Sequence, residues 1–159
     1  VLCDINFEMI EVGRDRLLDR GIVSNIDYVQ GDAEKLPFPD EAFDAITIAF
    51  GLRNVTRKEV ALADMCRVLK PHGHLVVLEF SKPRNPVMRT AYNAFSALWP
   101  DIGRAITGDR DSYKYLVESI RMHPDQETLR DMIEDAGFAE SSYHNIVDGV
   151  AAIHLGIKG

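Results

Sequence analysis

From Phe43 to Phe50 the chain runs almost continuously apolar, broken only by Asp44 and Thr47. A strand with one wet face alternates polar and apolar side chains, whereas a run of this kind suits a strand covered on both faces of a parallel sheet. The flanking segments agree with that expectation. Val1 to Ile5 and Ile26 to Gln30 are short strand-like runs, and between them Phe7, Ile10, Leu17 and Leu18 share one face of a helix predicted over 7–20. Asn6 stands at the N-cap of that helix and Gly21 where a left-handed closing residue is wanted. A second helix is predicted from Lys58 to Leu69, ended by Pro71-His72-Gly73 ahead of an apolar strand from Leu75 to Phe80. Strand and helix alternate, so the expected architecture is α/β with right-handed crossovers and with Phe43 to Phe50 as a central strand.

The alternation stops between Pro83 and Pro124, where helix-like segments carry Tyr92, Phe95, Trp99, Tyr113 and Tyr115. This stretch reads as a helical insertion, 83–124, within one domain spanning 1–159. The pattern resumes with a helix near Gln126 to Ala136, closed by Gly137. Strands near Ser141 to Ile146 and Val150 to Ile157 follow, joined by Asp148-Gly149 as a hairpin.

The formal net charge of -7 argues against nucleic acid as a partner, since affinity for phosphate backbones comes from clustered Lys and Arg. The charge is uneven: Lys82 to Arg121 holds seven basic residues against four acidic, or +3, which leaves -10 for the remainder. Two readings of that stretch stay open, a solvated helical face or a surface for an anionic membrane or an acidic substrate. Cys3 and Cys66 make at most one bridge, and no apolar run reaches the roughly 18–20 residues of a membrane span. The expectation is a reduced, cytoplasmic protein, with contact at the inner face of a membrane left open. His72 and His74 have no Cys or carboxylate at ligand spacing, so no metal site is expected.

In an open parallel sheet, ligands gather beyond the C-terminal strand ends, which directs attention to the residues after each strand. Asp4 ends the first and suits ribose hydroxyls; Asp32, after the second, suits an exocyclic amine, with the Ala33 backbone at the ring edge. Each also has a plain structural reading, as a helix cap or a turn former. Phe50-Gly51-Leu52-Arg53-Asn54 follows the apolar run, and its Arg and Asn place several donors where an oxyanion would form. Equally, Arg53 could simply tie its loop to a nearby carboxylate. Glu79 has two readings of the same kind, a supporting carboxylate near the ligand or a salt-bridge partner. His123 is the best-placed titratable group for proton transfer, although a lone histidine at a helix end is more often structural.

Several strings then carry a resemblance. Leu36-Pro37-Phe38-Pro39, Phe43-Asp44 and Arg67-Val68-Leu69-Lys70-Pro71 resemble class I S-adenosylmethionine methyltransferases. More narrowly, Phe50-Gly51-Leu52-Arg53-Asn54-Val55-Thr56, Leu78-Glu79-Phe80-Ser81-Lys82-Pro83, Asp111-Ser112-Tyr113 and Glu118-Ser119-Ile120-Arg121-Met122-His123-Pro124 resemble the ubiquinone/menaquinone biosynthesis C-methyltransferases of the UbiE type. The resemblance implies a Rossmann-like class I methyltransferase sheet with helices on both faces. It implies S-adenosyl-L-methionine as cofactor, held by Asp4, Asp32, Ala33 and Ala49, and a prenylated benzoquinol or naphthoquinol substrate methylated at a ring carbon with Arg53 and Asn54 in catalytic roles. Arg53 would hold the phenolate or polarise a water that serves as base. Ala49 stands where relatives often have serine, and His72 where glycine is common.

Family members open with a helical segment, a strand and a glycine-rich turn, and the resemblance implies that this first βα unit is missing ahead of Val1. Its strand would lie between that of Val1 to Ile5 and that of Ala45 to Phe50. Unpaired backbone is costly, so direct strand pairing, chain exchange or a homo-oligomer is expected to close the gap. Two competing readings are another small-molecule methyltransferase of the same fold and a fragment that does not bind cofactor. A nicotinamide dehydrogenase would need a dinucleotide fingerprint that the sequence does not show.

Overall fold

The computed structural model describes residues 1–159. In chain order the elements are β1 (Leu2–Asp4), α1 (Phe7–Asp19), β2 (Tyr28–Gln30), β3 (Phe43–Ala49), α2 (Lys58–Val68), β4 (Leu69–Phe80), α3 (Pro86–Ser96), α4 (Trp99–Thr107), α5 (Arg110–Met122), α6 (Gln126–Asp135), β5 (Phe138–Ile146) and β6 (Ala151–Lys158). The architecture is α/β, as the alternation predicts. α1 begins where expected, because the Asn6 side chain accepts from the backbone N–H of Glu8 at 2.9 Å and of Met9 at 3.4 Å. Gly21 closes it at φ +76°.

The strands form two sheets. β1 pairs with β2 in parallel, and a separate sheet of order β3-β4-β6-β5 is parallel between β3 and β4 and antiparallel beyond. β1 and β3 do not pair, so direct strand pairing does not close the space between the two sheets. This corrects the expectation of a central β3: it is an edge strand, with Asp44, Ala45, Thr47 and Ala49 exposed and only the other face partly covered. An apolar run that reads as covered on both faces thus has one face on the core and the other turned to a cleft.

The core lies on one side of the larger sheet. Ala61, Leu62, Met65 and Cys66 of α2 and Leu129 and Ile133 of α6 pack against Leu69, Leu75 and Val77 of β4 and Phe138 of β5. The three helices α3 to α5 occupy the predicted insertion, and the predicted hairpin forms between β5 and β6, turning through Val147, Asp148 and Gly149 at positive φ.

Two details differ from expectation around residues 69–73. Pro71-His72-Gly73 does not separate α2 from the next strand; α2 stops at Val68 and the chain enters β4 directly at Leu69. The triplet is instead absorbed as a bulge, since β3 skips from Phe43 opposite Leu69 to Ala45 opposite His74. His72 takes φ +62° there, a conformation that disfavours side chains, so glycine at this position would be the relaxed choice. Gly73 is required by space: a Cβ would lie 2.8 Å from the Lys70 carbonyl oxygen and 3.2 Å from that of Asp44.

An arginine clamps the bulge region to the loop before β3. Arg67 forks onto Asp64 at 2.8 and 3.0 Å, and also donates to Asp40 at 2.8 Å and to the carbonyls of Phe38 at 2.9 Å and Leu36 at 3.1 Å. Asp64 in turn accepts from the Leu36 N–H at 2.6 Å. The short loop of Leu36 to Asp40 is thereby fixed from α2.

Gly73→Ala should cost about 1–3 kcal/mol, because backbone must shift to admit the methyl. Gly13→Ala, whose Cβ would meet only Leu2 at 3.8 Å inside α1, should instead be stabilising by about 0.5–1 kcal/mol. Urea midpoints of the two variants against the parent measure both.

Candidate functional site

A cleft of about 640 Å3 opens between the two sheets. One wall is β1 with the loop of Gly31 to Leu36; the other is β3 with Gly51 and the segment Asn54 to Thr56. It occupies the space between β1 and β3 where the resemblance places a further strand, so the residues at the strand ends, and not its volume, bear on a ligand. Register brings the two acids together: Asp4 is opposite Gln30, and the Gly31 N–H donates to the Asp4 carbonyl at 3.0 Å, so Asp32 emerges at the same strand ends.

Each acid is half committed. One Asp4 carboxylate oxygen accepts from the Asn6 N–H at 2.8 Å and one Asp32 oxygen from the Glu34 N–H at 2.9 Å. The second oxygen of each has no partner within the chain and is available to a hydroxyl or amine donor. Glu34 is spoken for: Arg57 reaches it from its backbone N–H and from Nε, both at 2.7 Å, and these bonds hold its carboxyl below the usual range. That pair ties the loop on the acid side of the cleft to the start of α2.

The opposite lip is a single 3-10 turn, Leu52–Asn54, entered through Phe50 at φ +53°. Strain of this kind in a non-glycine residue collects at sites where a turn must be aimed. Arg53 and Asn54 then diverge. Asn54 lines the cleft, and its Oδ1 accepts from the Tyr115 hydroxyl of α5 at 3.2 Å, which leaves the amide N–H donors free. Arg53 turns beneath the turn, where Nη1 donates to Glu79 Oε1 at 2.9 Å and to the Phe50 carbonyl. Its backbone N–H donates to Glu79 Oε2 at 3.1 Å, and its guanidinium lies 5.4 Å from the Phe80 ring centroid. With side-chain exposures of 12% and 2%, Arg53 and Glu79 form a buried ion pair, while Arg53 Nε is buried without a partner.

His123 lies at the end of α5, 2% exposed, with neither ring nitrogen hydrogen-bonded. Burial pushes its pKa down to about 3, helped by the positive charges of Lys58, Arg53 and Lys82. At neutral pH it is an uncharged imidazole outside the cleft lining, and a group this weakly basic is a poor acceptor for a phenolic proton.

The comparisons with known proteins fit this geometry. The description "ubiE/COQ5 methyltransferase family" matches residues 1–158. The chain belongs to that family. It is 62% identical over 159 residues to the "Ubiquinone/menaquinone biosynthesis C-methyltransferase UbiE" of Pseudomonas putida, covering 99% of this chain and 62% of that protein. The same figures hold for the protein of that name from Stutzerimonas stutzeri. The chain therefore spans 62% of the length of the curated relatives it matches. Among solved structures, a SAM-dependent methyltransferase from Aquifex aeolicus superposes with TM-score 0.66 at 16% identity, over 99% of this chain and 67% of that one. The [4+2]-cyclase SpnF gives 0.65 at 22%, over 98% and 64%. Likenesses at such identity establish the class I methyltransferase fold and leave the reaction open, as the cyclase illustrates.

Of the residues singled out from sequence, Asp4, Asp32, Ala33, Ala49 and Asn54 line one cleft in this family member. Arg53 adjoins the cleft without lining it. Tyr115 carries no sequence signal as the partner of Asn54, since 61 positions separate them.

Replacing Glu79 by Leu strands the Arg53 charge and should cost about 3–5 kcal/mol, most of it recovered in an Arg53→Met/Glu79→Leu double variant. Chemical denaturation of the four members of the cycle measures the coupling. His123 makes stability depend on pH: between about 3 and its ordinary 6.5 the unfolded chain binds a proton that the folded chain refuses. Stability should therefore fall as pH drops from 7 to 5, and His123→Gln should flatten that slope in urea titrations at each pH.

Proposed function

We propose that this chain takes part in S-adenosylmethionine-dependent methylation of a ring carbon in a prenylated benzoquinol or naphthoquinol. One observation carries the reading: two half-committed carboxylates face a strained turn bearing free amide donors across a single cleft, in a chain 62% identical to enzymes named for this reaction. The residues present fit the cofactor. Asp4 would accept from ribose hydroxyls and Asp32 from the adenine amine, with the Ala33 backbone at the ring edge. Ala49 contributes only a methyl group and backbone. When bound, S-adenosylmethionine would supply an electrophilic sulfonium methyl.

The chain's own residues would prepare the acceptor. A quinol ring carbon becomes nucleophilic as its hydroxyl loses a proton, so the site must favour phenolate. The Tyr115 hydroxyl engages Asn54 Oδ1 and leaves the amide N–H donors, which would hold the phenolate oxygen. Arg53, pinned to Glu79 and over Phe80, holds the turn that carries Asn54. The proton leaves to solvent water at the cleft, which the enclosed His123 does not line. Tyr92, Phe95 and Trp99 pack edge to face with ring centroids 5.9–6.1 Å apart, and Phe95 is exposed, which would give a prenyl tail an apolar path. No helix is long and apolar enough to cross a membrane, and contact with an anionic membrane surface through the basic helical region belongs to this proposal.

The test is methyl transfer from labelled cofactor to a prenylated quinol, with the product carbon identified. Label on the ring carbon supports the reading, and label only on an amine or sterol acceptor refutes it. Asn54→Ala should lower kcat by about 10²-fold with little change in cofactor affinity. Asp4→Ala should chiefly weaken cofactor binding, read by calorimetry with S-adenosylhomocysteine.

A further inference from the structure

A second, smaller cavity of about 170 Å3 lies apart from the cleft, where the chain leaves β4 and passes beneath α3 and α5. Most of its wall is apolar, and its polar side chains include three cations that are exposed at the surface. Lys82, Arg89 and Arg121 line it, no carboxylate does, and none of the three cations forms an ion pair. The ion pairs of the neighbouring helices, Arg110 with Asp101 and Lys114 with Glu118, involve other residues.

Two hydroxyls join them. Ser81 is 5% exposed and its Oγ has no hydrogen-bond partner; the Tyr92 hydroxyl is likewise buried and unpartnered. Buried hydroxyls left unpaired are costly, and their presence in the wall of a cationic cavity indicates a ligand that accepts. Burial also pushes the Tyr92 pKa up, so this hydroxyl keeps its proton and remains a donor. The wall is held from behind: the Ser81 N–H donates to the Val150 carbonyl at 2.9 Å, and Gln126 Nε2 donates to the Lys82 carbonyl at 3.0 Å.

We propose that this cavity is an anion site for a phosphate group. Two buried hydroxyl donors with three cations at the rim suit a phosphate monoester, which presents three strongly accepting oxygens and about two negative charges. The volume of about 170 Å3 is enough for a phosphate and the first atoms attached to it. The phosphate belongs either to a soluble compound or to a lipid headgroup.

Inorganic phosphate titrated into the full chain at constant ionic strength, with chloride as the balancing anion, should raise Tm saturably. Arg89→Gln/Arg121→Gln should abolish the rise, Tyr92→Phe should weaken apparent affinity about tenfold by removing one hydroxyl, and Lys114→Gln should leave it intact. Phosphatidylcholine vesicles with and without phosphatidic acid separate the sources. Recruitment to the acidic vesicles that fails in the double variant assigns a headgroup; saturable phosphate binding without recruitment assigns a soluble phosphate compound. No rise beyond that in chloride, or a rise that survives both the double variant and Tyr92→Phe, overturns the proposal. Tyr92→Phe keeps the test decisive if the double variant does not fold.

Discussion

Strand β4 is paired along both edges, parallel to β3 on one side and antiparallel to β6 on the other. This two-sided pairing fixes the direction in which everything after it emerges. Glu79, near its end, is delivered to the turn of Arg53 and Asn54, and two residues later Ser81 reaches the cationic cavity. A one-residue slip would exchange the faces of Glu79 and Phe80, placing an aromatic ring where the guanidinium needs a carboxylate. The antiparallel partner makes such a slip expensive, because seven successive residue pairs join β4 to β6.

Much of this was legible in the sequence, for reasons that differ by element. The Asn6 cap and the amphipathic period of α1 are local signals, and local signals read well. The acids after β1 and β2 were recognisable because position at a strand end follows from topology alone. The role of β3 was not, since an apolar run reports that a surface is covered without saying by what. The bulge at Pro71-His72-Gly73 was hidden for the opposite reason: three residues with turn chemistry look like a boundary, and only the register with Phe43 and Ala45 turns them into an irregularity inside a strand.

The Arg53-Asn54 pair shows where residue type stops informing. Both carry hydrogen-bond donors, and adjacent residues in a tight turn point different ways. Asn54 reaches the cleft and Arg53 is drawn under by Glu79, a carboxylate 26 positions distant. Of the two open readings of Arg53, the tie to a nearby carboxylate is present in the structure. His123 makes a similar point. Its place in a string typical of the family says nothing of the enclosure that leaves both nitrogens bare.

Helix α5 lines the cationic cavity and reaches the cleft through Asn54. Tyr115, on its second turn, holds the Asn54 amide, and Arg121, on its last, lines the cationic cavity. Six residues of helix are about 9 Å of nearly rigid rod, so these two side chains cannot be repositioned independently. Whatever tilts the rod at one end must re-aim the other, and the geometry of the amide over the cleft is in that sense shared property of the whole helix.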